Sequence, residues 1–194
     1  MHKSVLLEEA INGLNIKDGL IYVDCTLGYA GHSGKILEKN KKGWLYAFDQ
    51  DEEAILFSNK KLSSIGSNFE IIHSNFVNLK SELNKRGINK VDGILFDLGV
   101  SSPQLDNKER GFSYHKDALL DMRMDKDNPL SAYEVVNNYK ESDLITIFYR
   151  YGEEKYSKSI ARKIVEYRKN KKIETTLELV EIIKSGVPEK YKRE

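Results

Sequence analysis

The chain of 194 residues carries 31 Lys plus Arg against 30 Asp plus Glu, a net charge of +1, and 40% hydrophobic residues. That balance excludes a polybasic tail protein or an acidic solvating segment and fits one globular domain, or one domain plus a small second unit. No apolar run approaches the about 20 residues that span a bilayer, Glu8 and Glu9 come too early for a signal peptide, and the single Cys25 excludes an intrachain disulfide and speaks against a cysteine-based zinc site, so a cytoplasmic chain with no metal site is expected.

The first hundred residues alternate short apolar runs with amphipathic ones, the pattern of βα units. Four runs read as buried parallel strands: Leu20 to Val23, Trp44 to Phe48, Phe69 to Ile72 and Gly93 to Phe96. The first, second and fourth run directly into Asp24, Asp49 and Asp97, and the third into His73-Ser74-Asn75. In an open parallel sheet ligands bind at the carboxyl ends of the strands, so three carboxylates at equivalent ends carry information. Crossover helices are predicted from Ser33 to Lys39, from Asp51 onward and from Val77 to Lys85, the last stopping at Gly87. Residues 101–130 hold turn formers and scattered aromatics. From Ser131 the pattern is helical, with four helices marked by Val135 and Val136, Leu144 and Phe148, Ile160 and Ile164, and Leu177 and Val180. A four-strand α/β half followed by an all-helical segment is predicted, with a boundary near residue 105.

The loop Asp24-Cys25-Thr26-Leu27-Gly28-Tyr29-Ala30-Gly31-His32-Ser33-Gly34 follows a strand and opens a helix, the context of a nucleotide-binding glycine loop. Gly28 and Gly31 keep the G-x-x-G part of the dinucleotide fingerprint, but Thr26 stands at the first glycine position. Asp49, about 20 residues beyond Gly28, is placed to accept both hydroxyls of an adenosine ribose. The ligand is NAD or S-adenosylmethionine. The missing first glycine counts against a pyrophosphate, while Asp24 and Asp97 suit a sulfonium and an α-amino group. Cys25 reads as a small buried residue under the loop, not an attacking thiol.

A second dense block runs from Asp92 to Asp106 and contains DLGVSSPQLD; RGFSY (110–114) and LDMRMD (120–125) follow. With His2 and Val5-Leu6-Leu7 near the start, Asn75-Phe76, and Tyr151-Gly152-Glu153-Glu154, these motifs resemble the bacterial MraW/RsmH family over essentially the whole chain. That family methylates N4 of a cytidine in 16S ribosomal RNA of the small subunit. The resemblance implies a Rossmann-like class I methyltransferase sheet, of which the first four parallel strands are present, with an all-helical insert domain. It assigns residues 1–104 to the methyltransferase domain and 105–194 to the insert, and S-adenosylmethionine as cofactor. Carried over residue by residue, Ala30, Gly31 and His32 lie against the donor, Asp49 holds the ribose, Phe76 flanks the adenine, and Asp97 and Gln104 close the methionine end. Ser4 replaces a family proline, and Tyr29 is larger than the usual residue at its position.

An exocyclic cytosine amine is a poor nucleophile, so positioning carries most of the catalysis and an acceptor is needed for its proton. Asp97 is the candidate catalytic residue, to orient the amine or the sulfonium. RNA contact is expected from the last third: residues 140–194 hold 14 basic against 10 acidic residues, and 155–172 hold eight against one. Lys155, Lys158, Arg162 and Lys169 fall on one predicted helical face, a stripe able to neutralise phosphates. The alternatives are a fragment that binds donor or ribosomal RNA without transferring a methyl group, and a nicotinamide oxidoreductase.

Overall fold

The computed structural model describes residues 5–191; the motif positions His2 and Ser4 lie outside them. Two compact units share the chain, residues 1–99 and 100–194.

In the first unit the predicted runs form one parallel sheet: β1 (Ile21–Asp24), β2 (Trp44–Asp49), β3 (Phe69–His73) and β4 (Gly93–Leu95), in the order β3-β2-β1-β4. Alternation along the strands sorts side chains to two faces. Tyr22, Leu45 and Ala47 join Ile11, Ile36, Leu37 and Leu62 in one cluster. Val23, Tyr46 and Phe48 join Cys25, Ile72 and Leu83 in the other. The helices are α1 (Leu7–Leu14), α2 (Gly31–Lys39), α3 (Glu52–Ser63) and α4 (Leu79–Lys85). Asp51 caps α3, its carboxylate accepting from the Glu53 N–H at 3.1 Å. A 3₁₀ turn, Phe76–Asn78, precedes α4 and takes its first residues out of the predicted helix. The α1 helix was not among the predicted elements.

Burial is a correction for two of the four strands. Ile94 in β4 is 42% exposed and Phe96, just past it, 49%, because β4 lies at the edge of the sheet beside β1 alone. Edge strand β3 likewise has a single buried residue, Ile72.

The second unit holds α5 (Ser102–Asp106), α6 (Ala132–Asn138), α7 (Glu141–Arg150), α8 (Ser157–Tyr167) and α9 (Thr176–Ser185). Leu120, Val136, Leu144, Ile160, Ile164, Ile173 and Ile182 form its core. Its irregular stretch is tied down by an antiparallel bridge, Leu119 to Thr175, and by the Asn137 amide, which donates to the Ile173 carbonyl at 2.8 Å and accepts the Ile173 N–H at 2.9 Å. No described helix is long and apolar enough to cross a membrane.

Candidate functional site

The carboxyl ends of β1, β2 and β4 converge on the loop between β1 and α2. Asp24, fully buried at the end of β1, accepts the Ser33 hydroxyl at 2.7 Å and the Thr26 N–H at 3.1 Å. Burial pushes its carboxyl above the ordinary value; the hydrogen bonds from Ser33 and Thr26 and the nearby His32 work against that rise. Cys25, next along the chain, is also buried, and burial with Asp24 beside it pushes the thiol up to about 12. It is a thiol at neutral pH and no nucleophile.

At the end of β2, Asp49 receives the backbone N–H of Gly28 at 2.7 Å, that of Asp51 at 2.9 Å, and that of Gln50. Burial again raises the carboxyl, against the pull of those backbone bonds. The two carboxylate oxygens offer about four lone-pair sites, so acceptor capacity is left for a ligand hydroxyl. Gly28 adopts a left-handed φ of 48°, which presents its N–H to Asp49. Ala30, also left-handed at φ 53° and completely buried, starts α2 with no side-chain cap. Gly31, His32 and Ser33 form its first turn, so the amides at this end of the nine-residue helix face the glycine loop without a competing side chain.

Asp97 lies beyond β4 with its side chain 43% exposed. Its backbone N–H donates to the Thr26 hydroxyl at 2.7 Å, which joins the β1 loop to the end of β4. One carboxylate oxygen stands 3.7 Å from His32 Nδ1. His32 is 5% exposed, and its Nε2 is buried with no hydrogen-bond partner. Phe76, half-buried at the start of the 3₁₀ turn, packs edge-on to Phe96 at 5.5 Å. Ala30, Gly31, His32, Asp49, Phe76 and Asp97 thus all belong to the strand-end side of the first unit. The parts that Ser33 and Thr26 play in holding Asp24 and Asp97 were not read from the sequence, where Thr26 figured only as the residue at the first glycine position. Their signal was present in the spacing of a buried-strand aspartate with hydroxyls two and nine residues on.

Gln104 belongs to the second unit, where it is 6% exposed and completes a capping box: Ser101 Oγ accepts the Gln104 N–H at 3.4 Å, and Gln104 Oε1 accepts the Ser101 N–H at 2.9 Å. Ser101-Ser102-Pro103-Gln104 is a readable helix start of the S-x-x-Q kind. RGFSY and LDMRMD fold into one knot. The buried Arg110 donates to the carbonyls of Arg123 (3.0 Å) and Met124 (3.2 Å). Arg123 pairs with Asp121 through Nε at 3.0 Å and Nη2 at 2.8 Å, which holds the Asp121 carboxyl below its ordinary value.

The predicted basic stripe is corrected in extent. The helix α8 stops at Tyr167, so Lys155 and Lys169 lie outside it, and only Lys158 and Arg162 of the four are helical. Arg168 is turned inward to the carbonyls of Val136 and Tyr139, past the end of the helix. Lys163 pairs with Glu166 at 3.3 Å and Lys171 with Glu178 at 3.0 Å.

The parallel sheet order, with the glycine loop at the first strand end and an acid at the second, defines a Rossmann-like α/β unit. Residues 1–194 match the model of the MraW methylase family, and the chain belongs to that family. A ribosomal RNA small subunit methyltransferase H of Exiguobacterium sibiricum is 58% identical over 192 residues, which are 99% of this chain and 62% of that one. The chain therefore spans under two thirds of the length of that relative. Among solved structures, an rRNA methylase from Streptococcus thermophilus is similar with 22% identity and a TM-score of 0.41, over 61% of this chain and 71% of that one. A SAM-dependent methyltransferase from Aquifex aeolicus gives 18% identity and 0.34, over 75% and 78%.

Proposed function

We propose that the chain binds S-adenosylmethionine at the strand ends of its first unit and serves the methylation of the N4 amine of a cytidine in 16S ribosomal RNA. The observation that carries the reading is the set of three carboxylates, Asp24, Asp49 and Asp97, at the ends of adjacent strands around a loop that opens a helix. Membership of the MraW family supports the choice of a methyl donor over a dinucleotide. So does Thr26. A glycine at that position would let a pyrophosphate approach the backbone, whereas the Thr26 hydroxyl is occupied by the Asp97 N–H.

In this reading Asp49 takes the ribose hydroxyls on its spare lone pairs, the first turn of α2 from Gly31 and His32 borders the donor, and Phe76 offers a ring to the adenine. Gln104 at the methionine end rests on the family motif alone. The donor supplies an electrophilic methyl group. Asp97 is the acceptor candidate for the proton that the cytosine amine loses, because its carboxylate is accessible at the strand end while that of Asp24 is sealed. RNA contact through Lys158 and Arg162 of α8 completes the proposal.

Titration calorimetry with S-adenosylmethionine tests the donor site. Saturable binding that NAD does not compete for is expected; tight NAD binding without donor binding would overturn the reading. Transfer of a labelled methyl group to small ribosomal subunits tests the reaction, with an Asp97→Asn variant expected to lose transfer even when the donor is saturating.

A further inference from the structure

The turn between α7 and α8 carries chemistry that the donor site does not use. Tyr151 is 82% exposed and Tyr149, at the end of α7, 65%. Arg150 between them is exposed as well. Four residues on, Lys155 Nζ sits 4.0 Å from the Tyr191 ring centroid and 5.3 Å from that of Tyr156, and the two rings are 5.3 Å apart. Lys190 approaches Tyr191 from 4.9 Å. The first turns of α8 then present Lys158 and Arg162, both exposed. The turn also contains two acids. Glu154 is directed to its own loop, accepting the Tyr156 N–H at 2.7 Å, and Glu153 is exposed.

Among the described residues after 140, the exposed large apolar side chains are Tyr149, Tyr151, Tyr167 and Leu177. Three of the four are tyrosines; Tyr149 and Tyr151 flank the exposed Arg150 in sequence, while the Tyr167 hydroxyl donates to Glu178 at 2.8 Å. A protein partner is met by a contiguous aliphatic and aromatic core. Isolated rings among cations suit nucleobases, since every base offers a π face to a ring and a phosphate to a neighbouring cation. We propose that the α7–α8 turn is a stacking platform for an unpaired RNA base, with Tyr151 taking the base face and Arg150, Lys158 and Arg162 taking the phosphates that flank it. It deepens the ribosomal RNA reading above and rests on it.

The test uses the full chain and a single-stranded oligoribonucleotide of about 12 nucleotides bearing 2-aminopurine, whose fluorescence falls on stacking, with a duplex of the same sequence for comparison. The single strand is expected to bind more tightly and to be quenched. Tyr151→Ala should weaken it about tenfold and remove the quenching, Tyr151→Phe should restore both, and the salt dependence should stay the same in both variants. Arg162→Gln should instead lower the salt slope by about 0.7 and keep the quenching. Unchanged binding in Tyr151→Ala, or equal affinity for the duplex, overturns the platform. Calorimetry with S-adenosylmethionine on the same samples separates the two failures. A chain that binds donor and ignores the oligonucleotide refutes the platform alone, and one that stacks RNA but takes up no donor refutes the methyl-donor reading alone.

Discussion

The two units use their densest motifs in opposite ways. In the first, the polar residues at the strand ends hold each other and still keep something in reserve: spare lone pairs on Asp49, an accessible carboxylate on Asp97 and an unpartnered Nε2 on His32. In the second, Arg110, Asp121 and Arg123 spend their donors and acceptors on neighbouring chain, and the result is a fixed loop. Density of a motif therefore marks constraint. Whether the constraint serves a ligand or the fold is decided by the hydrogen-bonding capacity left over.

The contrast can be broken experimentally. The largest effect is expected at Gly111, which has a φ of 70° and where an added Cβ would meet the Leu119 carbonyl oxygen at 2.5 Å. Gly111→Ala should cost about 2–4 kcal/mol in urea unfolding. A neutral result would mean that the knot is not structural. Asp49→Ala comes next and should weaken donor binding at least about tenfold by calorimetry, because charge-assisted bonds to the ribose are lost. Full affinity in that variant would remove Asp49 from the site and with it the reserve that distinguishes the first unit.

Asp24 sharpens the comparison through pH. Burial raises its carboxyl above the ordinary 3.8, so the folded chain holds the proton to higher pH than the unfolded chain does. Its contribution to stability is complete below about pH 4 and is lost as pH rises through the folded value. Asp24→Asn should flatten the melting profile relative to the parent between mildly acid and neutral pH. A profile that keeps its slope would show that Asp24 is not what the rise in pH works against. The smallest effect is expected at Lys163, whose exposed pair with Glu166 spans 3.3 Å. Lys163→Gln should change stability by no more than about 0.5 kcal/mol. A larger loss would place this helix face in a network.

Much of this was legible from local pattern. The four apolar runs became the four strands, and Asp24, Asp49 and Asp97 stand at the ends where the alternation stops. Gly28 and Ala30 take left-handed turns within the loop that the glycine spacing marked, a detail the spacing did not specify. What local pattern could not reach was context. Exposure of Ile94 depends on which strands flank β4, and a run of apolar residues reads the same at an edge as in the middle. The 11-residue α8 ends before Lys169, and Arg168 next to its end reaches the carbonyls of Val136 and Tyr139, some 30 residues away in sequence. Gln104 carries a further lesson about local pattern. Its capping role was written in S-x-x-Q and stands beside the ligand role that the family resemblance implies.

The loop from Thr26 to Ala30 is fastened from several elements at once. The N–H of Leu27 reaches the Phe48 carbonyl and that of Gly28 reaches Asp49, the Gly28 carbonyl receives Ser58, and the Tyr29 carbonyl receives Lys61. A binding loop built this way does not wait for its ligand to become ordered. The Leu27 and Gly28 amides should exchange slowly with deuterium before any donor is added, and the entropy of arranging the loop is already settled when the chain folds.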